Sequence, residues 1–485
     1  MALSPWLYRP LAVSGWLTVL GVVTVTLPYV LGVGFLPKRW PLTPEMALVA
    51  LFCFRYLRLL VHGWSYYFVY KPSSPVPDSP TYTAAEHITV IVPTVEPGGP
   101  TFHRCLDSIC ANSPARVFVV TVGAALHQTA EKMLAPVRRA HPSVTVEVHH
   151  TPVANKRRQI DSVVDKVCTP ITFLVDSTAI LPSEGQFFPW ALAPFENPGV
   201  GLVGTCKLVE RATQPTWWSQ YWNFLGGIYL ERHNFEVAAA NAIDGGAFII
   251  SGRTCGVRTS ILMDENFRRG YVDERIQFPL GLLPDIGPIV ADDDNYLLRF
   301  CVEEGYGVKF QSGLRTTVVA SSSSIPSSSP SNCVVGIAKL GEYPRFLQQC
   351  IRWTRTSFCS NPRSLLSARA WRRHPWSMYG VQLATITNFA VLGDGLQIHL
   401  YLQTAWWADR QGQWGLVCLV TWILLTKLVK LIPWLWRYPA DIVFLPAYLG
   451  FAYYHSWIKL HALLTFWNLE WAGRDLEKIN DMAFD

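Results

Sequence analysis

The sequence predicts an α/β domain built on a parallel sheet with helices on both faces, flanked by membrane-spanning helices. Three observations carry this expectation. First, four short β-branched runs, at 88–93, 117–122, 144–148 and 171–175, alternate with helix-like segments at 102–112, 128–140 and 156–166. Strands alternating with helices form a parallel sheet covered on both faces. Second, long apolar runs stand before and after this region. Third, half of the 485 residues are hydrophobic, only 16% are charged, and there are 20 Trp. That is too apolar for an ordinary soluble enzyme and suits a membrane protein with a large water-facing part.

Residues 11–36 carry no charge and are long enough to cross a bilayer. After Lys38, Arg39 and two prolines, a second apolar run at 46–70 contains Arg55, Arg58 and His62. These three either snorkel or face protein. The expected organisation is two membrane helices in 1–71, a Pro/Ser linker in 72–87, and a cytosolic α/β domain in 88–340 with a Ser-rich insert at 321–333. A polar segment with interfacial helices follows at 341–377, then C-terminal membrane helices in 378–467 and a tail at 468–485. Apolar runs at 378–407, 414–434 and 442–458 supply three or four spans. Lys427, Lys430 and Arg437 are expected at a cytoplasmic end, where such charge collects. The 11 Cys show no CxxC pair and no zinc spacing, which reads as reduced thiols facing the cytosol. A net charge of +6 without a basic stripe suits acidic lipids or an anionic substrate and speaks against nucleic acid.

Ligands bind such sheets at the carboxyl ends of the strands. Three polar groups end there: Thr94-Val95-Glu96, Asn155-Lys156-Arg157 and Asp176-Ser177-Thr178. A carboxylate and a threonine can hold a base and ribose, and cations at a helix start can hold a diphosphate. For Thr94 and Ser177, a plain turn role is the alternative. Asp244-Gly245-Gly246 opens a stretch that runs to Ser251-Gly252-Arg253 and leads into another apolar strand; its glycines allow close backbone approach to a ligand. Asp292-Asp293-Asp294 opens a helix to about 304. Three carboxylates at a helix start are more than a cap needs, and crowding raises at least one pKa, as a general base requires. Gln349, Arg352 and Trp353 stand at i, i+3 and i+4 and share one helix face, with Arg352 suited to a diphosphate and Trp353 to a sugar. The alternative is an amphipathic helix that turns Arg345, Arg352 and Arg355 to lipid phosphates.

Val92-Pro93-Thr94, Lys156-Arg157, Asp176, Ser251-Gly252, Asp293-Asp294 and Gln349-xx-Arg352-Trp353 together resemble the processive family-two glycosyltransferases: hyaluronan, cellulose and chitin synthases. Tyr221 to Gly226, Tyr229-Leu230-Glu231-Arg232 and Ile243-Asp244-Gly245-Gly246 resemble, more narrowly, the fungal membrane type 2 glycosyltransferases. The resemblance covers roughly residues 88–375. It implies a GT-A-like mixed, mostly parallel sheet and a multi-pass protein, in the plasma membrane, with its catalytic domain in the cytosol. It implies inverting transfer from a UDP-sugar to a growing glycan, with the lipid bilayer as a further partner. Asp294 is then the base. Thr94, Glu96, Lys156, Arg157, Asp176 and Arg352 hold the donor, while Ser251, Gly252, Asp293, Gln349 and Trp353 line the acceptor. Mg²⁺ or Mn²⁺ would sit on Asp176. The family carries Asp-x-Asp at this point, whereas Thr178 stands here in place of the second Asp and is a poorer ligand. Two alternatives are a non-processive transferase onto a lipid acceptor and a degenerate membrane scaffold or transporter.

Overall fold

The computed structural model describes residues 43–182, 187–211, 216–247, 249–276, 285–290, 292–312, 334–337 and 343–468. The first apolar run, the Ser-rich insert and residues 469–485 lie outside them.

Nine strands form one mixed sheet in the order β3-β2-β1-β4-β7-β6-β9-β5, with β8 also paired to β6. The strands are β1 Ile88–Pro93, β2 Arg116–Val122, β3 Thr145–Thr151, β4 Ile171–Val175, β5 Ala179–Ile180, β6 Val200–Val209, β7 Thr254–Arg258, β8 Gly307–Gln311 and β9 Val334–Ile337. The first four pair in parallel, and β7 runs antiparallel between β4 and β6. The longer helices are numbered α1 Pro44–Trp64, α2 Pro100–Cys110, α3 Gly123–Ala140, α4 Lys156–Val164, α5 Trp217–Asp244, α6 Glu265–Val272, α7 Asp293–Glu304, α8 Arg345–Leu366, α9 Ala390–Leu402, α10 Gly412–Leu428 and α11 Leu445–Leu463.

The β-branched runs become strands because both sheet faces are covered, so successive residues bury in opposite cores. Val90 and Val92 of β1, with Val117 and Val119 of β2, pack with α2 and α3; Ile91, Phe118 and Val120 pack with α4, α5 and α7. This double burial explains the unbroken apolar runs. Chain order reverses between β1 and β4, so their carboxyl ends open a crevice at a topological switch point.

The glycine stretch from Asp244 to Arg253 leads, as expected, into a strand, which begins at Thr254. Gly245 adopts φ +71 at the end of α5, and Asp244 accepts bonds from Gly246 N at 3.0 Å and Ser377 N at 2.9 Å. These residues tie the loop before β7 to the C-terminal segment. One expectation changes. The run at 378–407 is broken, with a π-helix at Met378–Leu383 and extended backbone at Asn388 and Phe389 before α9. Lys427, Lys430 and Arg437, expected at a cytoplasmic end, each meet a carboxylate. They pair with Asp394 at 2.7 Å, with Glu236, and with Glu231 at 3.2 Å. Carboxylates on α5 and α9, distant in sequence, attract them inward.

The same packing settles Arg55 and Arg58. Arg55 pairs with Asp394 at 2.6 Å and Arg58 donates to the Gly380 carbonyl at 3.2 Å, so both face protein. Gly227 of α5 lets the Trp434 ring approach; a Cβ there would lie 2.0 Å from it. Among the described residues, two helical stretches, Pro44–Val69 and Gly412–Arg437, are long and apolar enough to cross a bilayer.

Candidate active site

Lys156 sits at the centre of the crevice. Asn155 caps α4 by accepting from the Arg157 and Arg158 amides at 2.9 and 3.2 Å, which fixes where the first turn begins. From that turn the Lys156 ammonium reaches Asp176 Oδ1 at 3.0 Å, Asp293 Oδ2 at 2.9 Å and the Gly252 carbonyl at 3.0 Å. Burial works against the ammonium, yet Asp176 and Asp293 hold its pKa well above the ordinary lysine value. Lys156 thus joins the end of β4, the irregular loop before β7 and the start of α7.

Gly252 is where these elements touch. Its amide donates to Asp294 Oδ2 at 2.8 Å, and a Cβ would stand 3.1 Å from both Asp293 Oδ2 and Lys156 Nζ. The loop is held further by the Asp176 amide, which donates to the Arg253 carbonyl at 2.9 Å. Ser251 Oγ accepts from the Arg253 amide and shapes the turn.

The three aspartates have three environments. Asp292 adopts φ 70 and turns away from Lys156 toward α8, accepting from Ser360 Oγ at 2.6 Å and from Asn295 Nδ2. Burial pushes its carboxyl up to about 7. Asp293 is spent on Lys156. Asp294 alone keeps partial exposure; burial and the Asp293 charge raise its pKa. A carboxyl with an open edge and a raised pKa can accept a proton from an incoming hydroxyl.

The face of α8 closes the crevice. Arg352 lies within electrostatic reach of Asp176, Asp293 and Asp294, and burial, with Arg253 beside it, pushes its guanidinium down to about 10. Gln349 is half-buried one turn earlier. Trp353 stacks on Tyr229 of α5, ring centroids 4.9 Å apart and planes 28° apart. Arg345, expected at lipid in the alternative reading, is half-exposed at the first residue of this helix, and Arg355 donates to Thr465 Oγ1 at 3.0 Å.

Arg157 does not join the site, which corrects its placement with the donor. Adjacent helix residues point about 100° apart, so only one of Lys156 and Arg157 can face the strand ends. Arg157 is fully buried, donates to Glu274 Oε2 at 2.8 Å and to the Tyr271 carbonyl at 3.0 Å, and lies over the Tyr271 and Tyr296 rings. Glu274 also takes Arg299 of α7 at 2.5 Å and Arg363 of α8. This hub anchors both helices that carry the site. Thr94 is buried and its hydroxyl accepts from the Glu96 amide at 3.2 Å, holding the turn after β1, while Glu96 is exposed at the rim. Sequence reasoning gave no role to Arg253 or Glu274. Arg253 follows the glycine turn directly, a signal that was available; nothing local marks Glu274 as a hub.

The donor set does not fit a divalent ion. Such an ion takes one or two carboxylates plus substrate oxygens. Here Asp176 Oδ1 holds the Lys156 ammonium, position 178 offers a neutral hydroxyl, and no three His, Cys, Asp or Glu among the described residues converge as ligands.

A mixed sheet with a switch-point crevice, cations beside it and one open carboxyl defines a transferase that handles an anionic donor. Residues 85–354 match the family described as glycosyltransferase like family 2. The chain is 34% identical over 439 residues to a type 2 glycosyltransferase of Gibberella zeae, covering 88% of this chain and 75% of that one. It is 33% identical over 436 residues to another from Pyricularia oryzae, covering 88% and 82%. A mannosyltransferase of Pyrobaculum calidifontis, solved with GDP-Man and Mn²⁺, superposes with a TM-score of 0.48 at 16% identity, over 80% of this chain and 97% of that one. The chain belongs to the family 2 glycosyltransferases.

Proposed function

We propose that this protein is a membrane-embedded, inverting and processive glycosyltransferase that extends a cell-wall or extracellular polysaccharide from a UDP-sugar. One observation carries the chemistry: Asp294, the open member of the acidic trio, is aligned by the Gly252 amide beside the Lys156 ammonium. An acceptor hydroxyl gives its proton to Asp294 as its oxygen attacks the anomeric carbon. The bond from that carbon to the diphosphate oxygen breaks, and the diphosphate leaves with the electron pair toward Lys156, Arg253 and Arg352. One base with no second nucleophile gives a single displacement, so an α-linked donor yields a β-linked product. Glu96 at the crevice rim takes the nucleoside. Trp353, stacked on Tyr229, sets a flat aromatic wall for the acceptor sugar, with Gln349 and Ser251 beside it.

The membrane reading is supported by the bands of exposed Leu57, Leu60 and Phe68 on the first stretch, and Trp414, Val417 and Leu425 on the second. On this reading the plasma membrane holds several spans, the sheet faces the cytosol where nucleotide sugars are made, and helices near α5 pass the product outward. The test is a panel of nucleotide sugars offered to the purified chain, reading released nucleoside diphosphate and product size. One donor turned over into long chains supports the reading. A single sugar added to a lipid supports the non-processive alternative, and no turnover with any donor supports the degenerate one.

A further inference from the structure

A leaving diphosphate needs fixed positive charge at the ends of β1 and β4. The three N–H bonds of the Lys156 ammonium are already directed at three acceptors: Asp176 Oδ1 at 3.0 Å, Asp293 Oδ2 at 2.9 Å and the Gly252 carbonyl at 3.0 Å. Two carboxylates and a backbone carbonyl are oxygen ligands of the kind a hard metal ion takes, and an ammonium occupies their common point. The Lys156 side chain is only 11% exposed, so the seat is built into the fold. Thr178 adds no charge, so Asp176 is the one carboxylate that the turn after β4 brings to the seat, and its Oδ1 already meets the ammonium.

We propose that the Lys156 ammonium is the resident cation of the donor site, and that this chain binds a nucleoside diphosphate and transfers its sugar without a divalent metal ion. The inference rests on the nucleotide-sugar reading above. Asp176, 31% exposed, is the acceptor on the solvent side. An incoming phosphate oxygen takes its place on the ammonium, while Arg352 and Arg253, within electrostatic reach of each other, meet the remaining charge. A divalent ion on Asp176 would lie against the ammonium and be repelled by it.

The experiment uses the purified full chain and UDP as probe, with calorimetry in excess EDTA and in Mn²⁺, and Mn²⁺ titrations followed by electron paramagnetic resonance. The wild type should bind UDP within about threefold equally in both buffers and hold no Mn²⁺ beyond that bound by UDP itself. Lys156→Met vacates the seat and leaves Asp176 with Asp293. It should weaken UDP binding in EDTA at least tenfold and gain a protein-bound Mn²⁺ signal. Lys156→Arg keeps the charge and should retain metal-free binding, which separates lost charge from lost fold. Metal-dependent UDP binding by the wild type, or a wild-type Mn²⁺ signal abolished by Asp176→Asn, overturns the inference and leaves the nucleotide-sugar reading standing. No UDP binding in either buffer overturns both.

Discussion

Asp292 and Asp294 stand two residues apart and do different work because their surroundings differ. Asp292 is buried against Ser360 and Asn295, and burial lifts its carboxyl to about 7. An unfolded Asp titrates near ~3.9, so between about pH 4 and pH 7 the folded chain binds more protons than the unfolded one. Asp292 therefore costs stability progressively as pH rises through that window, and the loss levels off above it. Asn tolerates the positive φ of this position and cannot ionise. The melting midpoint of Asp292→Asn, relative to wild type, should thus rise from pH 4.5 to pH 7.5, by several degrees. Parallel midpoints across the range would show that Asp292 is already ionised in the fold. The pairing of Lys156 with Asp176 and Asp293 was partly legible in the sequence, since all three were singled out at a strand end and at helix starts. Which of Lys156 and Arg157 faces the crevice was not, because helix phase depends on where Asn155 caps α4.

Helices α4, α7 and α8 meet at Glu274, where Arg157, Arg299 and Arg363 share one buried carboxylate. Those three guanidiniums hold its carboxyl low despite burial. Removing the shared partner leaves Arg299 with Asp292 at 3.7 Å and takes the bridging carboxylate from Arg157 and Arg363, and breaking a buried pair this way costs about 3–5 kcal/mol. Glu274→Ala should lower the melting midpoint of the purified chain by roughly 10 °C. An unchanged midpoint would mean that water already compensates the cluster. At this scale the sequence was most legible where one local rule decides. The runs in β1 to β4 are β-branched and doubly buried, and α7 begins at its acidic trio. It was least legible where tertiary partners decide. The glycine stretch reads as leading into a strand, which it does, but nothing local shows that Asp244 binds Ser377 or that Gly252 binds Asp294. Likewise nothing near the cations at 427–437 marks their carboxylate partners, which lie on α5 and α9.

At the scale of the molecule, the exposed apolar bands of Pro44–Val69 and Gly412–Arg437 set an orientation that can be checked. On the proposed topology, protease added outside sealed, right-side-out vesicles leaves a tag placed within 88–375 intact, and permeabilisation exposes it. Digestion before permeabilisation would place the sheet outside and away from its donor. The central claim is that Asp294 removes the acceptor proton in transfer from a nucleotide sugar. Its most direct measurement is released nucleoside diphosphate from the purified chain with its best donor, wild type beside Asp294→Asn, with nucleotide binding followed in parallel. A positioned base contributes about 10²–10⁴-fold, so the account predicts that Asp294→Asn binds nucleotide as the wild type does and releases at least about 100-fold less diphosphate. Release within tenfold of the wild type, at equal binding, would contradict it.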